Sequence, residues 1–258
     1  DSHEYYTDSG VVTTTPFKTL FKLEELRNIK KADAVMTVNT TIAELLQKEY
    51  KLQKTPYTIY NIPNYKTNAK YPHTNNNIIK VVFSGILSPG RGLDEYILSA
   101  KHLPENITLN LQGYGPREEE LKTIVRENNL ENKVFFIEAV PMNEITASLN
   151  RYDIGIVPYQ PIHTCNKLCS PNKLFEYIHA NLAVVGSDLP ELRRFITLYE
   201  LGDIFDPYNP EDMARAIIAT AKSLDQFKAN SKKASGVLTW KHEEKKLFEV
   251  YDYVEKQI

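Results

Sequence analysis

Two charged residues at the mouth of one helix are the best placed in this sequence to do chemistry. Lys173 and Glu176 lie in SPNKLFEYIHANLAVVGSDLPE, which runs from Ser170 to Glu191. The stretch reads as an abruptly started helix, a short apolar strand and a loop that closes on an acid. Ser170 suits the N-cap and Pro171 the first helical position. Lys173 then falls in the first turn, where the helix dipole favours an anion, so a cation there is unfavourable unless something negative stands in front of it. Glu176 shares its helical face. The pair suits a nucleoside diphosphate: ammonium and helix amides toward phosphate, carboxylate toward ribose hydroxyls. The plainer alternative is a solvated Lys–Glu pair on a surface helix, an arrangement worth little in stability.

Other candidates sit in glycine-rich turns. SGILSPGRGL is not GxGxxG, so a nicotinamide or flavin fingerprint is missing where one is expected. Gly85, Gly90 and Gly92 still permit close backbone approach, and Arg91 can fork onto phosphate; the alternative is a flexible turn with a surface arginine. In GYGPREEEL, Glu118, Glu119 and Glu120 already answer the helix dipole, which leaves Gly113 and Gly115 to make room for a ligand's flank. His3 and Glu4 in DSHE form the one histidine–acid pair placed like an active-site loop, although such a terminal pair usually decorates a surface. Cys165 and Cys169, in CNKLC, are too few for a disulfide scaffold and have no histidines at zinc-ligand spacing, so they read as free thiols.

The elements that must position these residues alternate. Phe17, Leu20, Phe21, Leu23 and Leu26 make a helical stripe; AVMTVN and YTIYNIP read as strands around a helix from Thr40 to Tyr50. Lys66 to Asn77 is polar, with three consecutive asparagines, and reads as a linker. Beyond it, IIKVVFSG, ITLNLQG, KVFFIEA, DIGIVPY, LAVVGSD and LGDIFD are strands separated by helices. That rhythm predicts an α/β fold with a parallel, doubly wound sheet, whose ligands sit beyond the carboxyl ends of the strands. Gly85 to Arg91, Gly113 to Gly115, Glu138, Tyr159 and the Ser170 loop all fall at those ends. The last third is helical, closing with a helix from Trp240 whose apolar stripe is Leu247, Val250, Tyr251 and Val254.

The totals narrow the class. The chain has 258 residues, 42% of them apolar, and a formal net charge of −2 with both signs interspersed. That balance gives no electrostatic case for nucleic acid. No run approaches a membrane span, and DSHEYYTDSG has no apolar signal core. The expectation is a cytoplasmic protein, with peripheral membrane association left open.

In family order, KADAVMTVN, YNIPN, SGILSPGRGL, GYGP, YDIGIVPY, SPNKLFEYIHANLAVVGSDLPE and the closing helix with Trp240 resemble the GT-B glycosyltransferases of family 4 and the glycosyltransferase group 1 type. The resemblance implies a Rossmann-like donor domain over 78–236, a linker at 66–77, a remnant of an acceptor-side domain over 1–65 and a C-terminal helix, 237–258, packing back on it. It implies transfer of a sugar from a nucleotide-diphosphate sugar to a glycan or lipid-linked acceptor, with no metal or other cofactor. By position, Arg91 and Lys173 would hold the diphosphate and act in catalysis, and Glu176 the ribose. Gly85, Gly90, Gly113 and Gly115 would border the donor. Backbone from Glu138 to Val140 would meet the base, and DSHEYY would bring His3 to the transferred sugar. Many members carry a second glutamate eight residues before the first; here that position is Leu168, with Asn172 the nearest polar substitute. The family's first domain would add roughly 100 or more residues before DSHEYY, so the resemblance implies either a fragment or a sheet completed by another chain, and association or disorder of residues 1–65 is expected. A non-catalytic nucleotide-sugar binding module or inactive fragment, and a nucleotide-sugar epimerase, are the alternatives.

Overall fold

The computed structural model describes residues 15–64, 71–72 and 77–256. The first stretch holds α1 (Thr15–Asn28), β1 (Met36–Thr37), α2 (Thr40–Tyr50) and β2 (Tyr57–Thr58). Strand and helix then alternate through β3 (Ile79–Ser84), α3 (Leu93–Ser99), β4 (Ile107–Gln112), α4 (Glu118–Glu127), β5 (Val134–Ile137), α5 (Ile145–Leu149) and β6 (Ile154–Val157). Next come α6 (Thr164–Leu168), α7 (Asn172–His179), β7 (Ala183–Ser187), α8 (Pro190–Leu198) and β8 (Ile204–Phe205). Three helices close the chain: α9 (Pro210–Lys222), α10 (Leu224–Val237) and α11 (Trp240–Glu255). By contacts the chain divides into two units. One joins Asp1–Ile62, Pro161–Ser170 and Thr239–Ile258; the other joins Pro63–Gln160 and Pro171–Leu238.

The larger unit is a six-stranded parallel sheet in the order β5-β4-β3-β6-β7-β8. A parallel sheet must be covered on both faces, and its strands are apolar accordingly: Val81, Val82, Phe83, Leu109, Leu111, Ile154, Ile156, Val184 and Val185 are all fully buried. The strand order reverses between β3 and β6. There the ladder is short: only Val81↔Ile154 and Val82↔Gly155 pair, whereas β3 pairs with β4 from Ile79↔Ile107 to Ser84↔Gln112. Beyond Val82 the two strands part, and the Tyr177 hydroxyl of α7 fills the gap. It accepts from the Ser84 amide at 2.9 Å and donates to the Ile156 carbonyl at 3.3 Å. Gly155 makes room for that ring, since a Cβ there would lie 2.3 Å from it. A doubly wound sheet opens a crevice where its order reverses, and here a tyrosine closes the crevice floor.

In the smaller unit β1 and β2 pair in parallel over two residues each. Asn39 caps α2 by accepting from the Ile42 amide and donates its own amide to the Leu168 carbonyl, both at 2.8 Å. Ile42, Leu46, Tyr50 and Leu168 form one buried cluster. On α11, Glu243 is buried and accepts from the Tyr60 amide at 2.9 Å.

Several local expectations change. The loop read as closing on Glu191 is α8, with Pro190 in its first turn and Glu191 fully buried. Of the stripe on α1, Leu20, Leu23 and Leu26 are 57%, 48% and 40% exposed, and Phe21 is half-buried. Tyr251, read as part of the apolar stripe of α11, is likewise exposed, while Val250 is buried. Among the described residues no helix is long and apolar enough to cross a membrane.

Candidate functional site

The turns after β3 and β4 pack closely on one another and on α7. Gly85 has φ +144°, and a Cβ on it would lie 2.9 Å from the Lys173 Nζ. Gly113, after β4, has φ +153°, and a Cβ there would lie 1.9 Å from the Gly85 carbonyl oxygen. Both conformations favour glycine, and at Gly113 the approach to backbone requires it, whereas at Gly85 the near atom is the movable end of Lys173. The turns are then stitched together: the Leu87 amide donates to the Tyr114 carbonyl at 2.8 Å, and the Arg117 amide to the Leu87 carbonyl at 3.2 Å. From the far side of the strand-order reversal, the Gln160 amide donates to the Gly90 carbonyl at 3.0 Å. The loops after β3, β4 and β6 and the mouth of α7 therefore meet at one place.

Two cations share a single aromatic ring there. The Lys173 ammonium donates to the Tyr159 hydroxyl at 2.9 Å and lies 5.1 Å from the ring centres of Phe83 and Tyr159. The Arg91 guanidinium sits over the same Tyr159 ring, its Cζ 4.1 Å from the centre. Among the described residues neither cation has an ion-pair partner. Arg117, by contrast, is fully engaged by Asp94 and Glu120. Those hydrogen bonds raise its pKa above the usual arginine value.

The start of α7 differs from the sequence expectation. Pro171, not Ser170, is the N-cap, and it supplies no side-chain cap because it has no polar side-chain atom. The Ser170 hydroxyl goes instead to the Val38 carbonyl, at 3.5 Å. The first turn of α7 is thus left without a capping oxygen. Lys173 is half-buried rather than exposed, and Asn172 beside it is exposed. One turn deeper, Glu176 is only 7% exposed, which removes the solvated surface pair. Burial pushes its carboxyl pKa up, partly offset by the attraction of Lys173. Among the described residues no donor hydrogen-bonds to its carboxylate.

The remaining candidates lie around this centre. Gly115 faces the neighbouring turn, since a Cβ on it would lie 2.3 Å from the Leu87 carbonyl oxygen. Its lack of a side chain therefore serves loop packing. The Gly113 amide donates to the Ile137 carbonyl at 3.0 Å, which sets the exposed Glu138 and the half-buried Val140 on the adjoining strand end. At the start of α4, Glu118 and Glu119 take Lys122, and Glu120 takes Arg117. Leu168 is spent in the core of the smaller unit. His3 and Glu4 lie outside the described residues. The sequence reading placed Tyr159 at the ligand-bearing strand ends without assigning it a contact, and it did not single out Tyr177. The available signal for both was an aromatic hydroxyl at the end of a buried strand and on the helix that follows it. Among the described residues no three His, Cys, Asp or Glu side chains cluster as a metal site.

A doubly wound parallel sheet with a cationic crevice at its strand-order reversal defines a Rossmann-like unit, and the solved structures it resembles are GT-B glycosyltransferases. The chain belongs to the glycosyl transferases group 1 family, whose sequence model matches residues 66–234. No curated protein matches it significantly. Among solved structures it is similar in fold to a TarM mutant of S. aureus, crystallised with fondaparinux, alpha-GlcNAc-glycerol and UDP. That match has 16% identity and a TM-score of 0.72 over 92% of this chain and 46% of TarM. Sucrose-phosphate synthase from Thermosynechococcus elongatus aligns at 16% identity and a TM-score of 0.75, over 95% of this chain and 63% of its own. HepE from Anabaena, in complex with UDP and glucose, aligns at 15% identity and a TM-score of 0.67, over 89% and 67%. The chain spans 46% to 48% of the length of the first structures it matches.

Proposed function

We propose that the Arg91–Lys173 crevice binds the diphosphate of a nucleotide sugar and that the protein transfers that sugar to a glycan or lipid-linked acceptor. The observation that carries this reading is the pair of cations, without carboxylate partners, held on one ring at the strand-order reversal. Side chains of this kind are arranged to receive negative charge. Glu176, buried without a donor, suits ribose hydroxyls that arrive with the ligand. Glu138 to Val140 suit the base from the next strand end, with Gly85, Gly90, Gly113 and Gly115 shaping the floor by loop packing. The UDP present in the TarM and HepE structures supports the same ligand class.

In the proposed reaction Arg91 and Lys173 stabilise charge on the departing nucleoside diphosphate, so no divalent ion is needed. Transfer is accordingly expected to persist in excess chelator. The setting is taken as cytoplasmic. A panel of UDP, GDP and ADP tests the donor site: a cognate nucleotide at a hundredfold excess over Kd adds about 2.7 kcal/mol of stability. No thermal shift with any of the three overturns the reading.

One observation favours a second reading, a donor-binding module without transfer. At Leu168, where many relatives carry an acid, an apolar side chain is packed with Ile42, Leu46 and Tyr50. Nucleotide binding without release of sugar from any donor, in the presence of saccharide acceptors, selects that alternative.

A further inference from the structure

We infer that Tyr159 brackets the two cations of the crevice and donates its own hydroxyl proton to the bound diphosphate. Two like charges placed together repel, and each gains by turning to water or to a carboxylate. Here both stay on one side chain. The ring face of Tyr159 holds the Arg91 guanidinium, with Cζ 4.1 Å from its centre, and the hydroxyl oxygen accepts from Lys173 Nζ at 2.9 Å. Phe83 offers the ammonium a second ring at 5.1 Å. A planar guanidinium stacks well on an aromatic face, and an ammonium is a point donor that suits a hydroxyl.

Tyr159 is itself fixed from both sides. A Cβ on Gly92 would lie 1.9 Å from the carbonyl oxygen of Pro158, the residue before Tyr159. The amide of Gln160, the residue after it, donates to Gly90 at 3.0 Å. The loop that carries Arg91 is thus pinned to the strand end that carries Tyr159, while Lys173 reaches the same ring from α7. One phenol sets the spacing between cations that belong to different elements.

The proton count then points to the ligand. A phenol has one proton to give and lone pairs to accept with, and an ammonium can only give. Lys173 therefore occupies a lone pair of Tyr159 and leaves its proton unused. Among the described residues no acceptor takes that proton, and Tyr159 is only 5% exposed. An anionic oxygen arriving between Arg91 and Lys173 meets this donor as well as the two cations. The ligand half of the inference rests on the donor reading above; the bracket half does not.

The test has one arm without nucleotide and one with it. In the first, the full chain and its Tyr159→Phe variant are treated with acetic anhydride, and labelling of Lys173 is followed by mass spectrometry against the exposed Lys101. Loss of the hydroxyl is expected to raise the Lys173 rate severalfold and leave Lys101 unchanged; equal Lys173 rates overturn the bracket. In the second arm, titration with UDP, GDP and ADP is expected to show Tyr159→Phe weakening the tightest of the three by roughly tenfold to a hundredfold, the scale of a hydrogen bond to a charged group. In a Lys173→Ala background the same change is expected to cost less. Unchanged affinity in Tyr159→Phe overturns the donated proton. If wild type binds none of the three while the labelling rates still differ, the bracket stands and the donor reading falls. Tyr159→Phe keeps the ring under Arg91, and equal melting temperatures confirm that both proteins are folded.

Discussion

Replacing Lys173 by alanine relieves its repulsion with Arg91 but also removes the attraction that offsets the burial of Glu176 and the hydrogen bond to Tyr159. The expected result is a folded protein with a lower melting temperature at pH 7, together with at least about tenfold weaker binding of a nucleoside diphosphate by titration calorimetry. Glu176 behaves in the opposite sense. Burial raises its folded pKa above the ordinary value of 4.5, with Lys173 pulling it partly back. The folded protein then binds that proton more tightly than the unfolded chain, so stability falls as pH rises through the interval above 4.5. The cost of the buried charge is absent well below 4.5 and grows as pH rises toward the raised folded value. Glu176→Gln is therefore expected to melt higher than wild type at pH 7 and to show no gain at pH 4. If melts at the two pH values show the same difference, the carboxylate is not desolvated.

The elements hold these residues through a few non-repeating contacts. Tyr177→Phe leaves the Ser84 amide and the Ile156 carbonyl without their partner in a buried gap. The expected loss is about 1–3 kcal/mol in urea denaturation. Gly113→Ala combines φ +153° with a Cβ 1.9 Å from the Gly85 carbonyl oxygen. Strain of this kind costs about 1–3 kcal/mol and shifts the turn that receives Lys173, so stability and nucleotide affinity are expected to fall together. In the smaller unit, Asn39→Ala removes the cap of α2 and a hydrogen bond to the Leu168 carbonyl. A loss of about 1–2 kcal/mol is expected. Element type was largely readable: the strands from β3 to β8 and the helices between them follow apolar runs and turn residues. The misses have identifiable causes. Pro190 and Glu191 are helix-start signals that read as a loop because they directly follow a strand. The five residues of α6 are too few to show a period. On α1 a helical period is present, but a period does not fix how deeply each position is buried.

At the scale of the molecule, the chain is a glycosyl transferases group 1 protein that spans about half of the first solved structures it resembles. All the proposed donor contacts, from Gly85 to Glu176, fall in the larger of the two units. Hydrogen exchange with a bound nucleoside diphosphate is therefore expected to slow at residues 85–92, 113–117 and 172–176, with far less change at 36–62. Equal protection in both stretches moves the ligand away from the crevice.

By itself the sequence determined the alternation of strands and helices, the glycines that let turns approach one another, and the Lys173–Glu176 pair at a helix mouth. These are local properties, written in side-chain type and spacing over a few residues. Only the tertiary structure decided that Arg91 and Lys173, far apart in sequence, sit on one tyrosine, and that Tyr177 plugs the parting of β3 and β6. It also decided that Ser170 leaves α7 uncapped to reach Val38, and that Leu168 belongs to the other unit's core. The reason is physical: periodicity fixes which face of an element is apolar, while the partner of a polar or charged group depends on what the crossovers of the sheet bring within hydrogen-bonding distance.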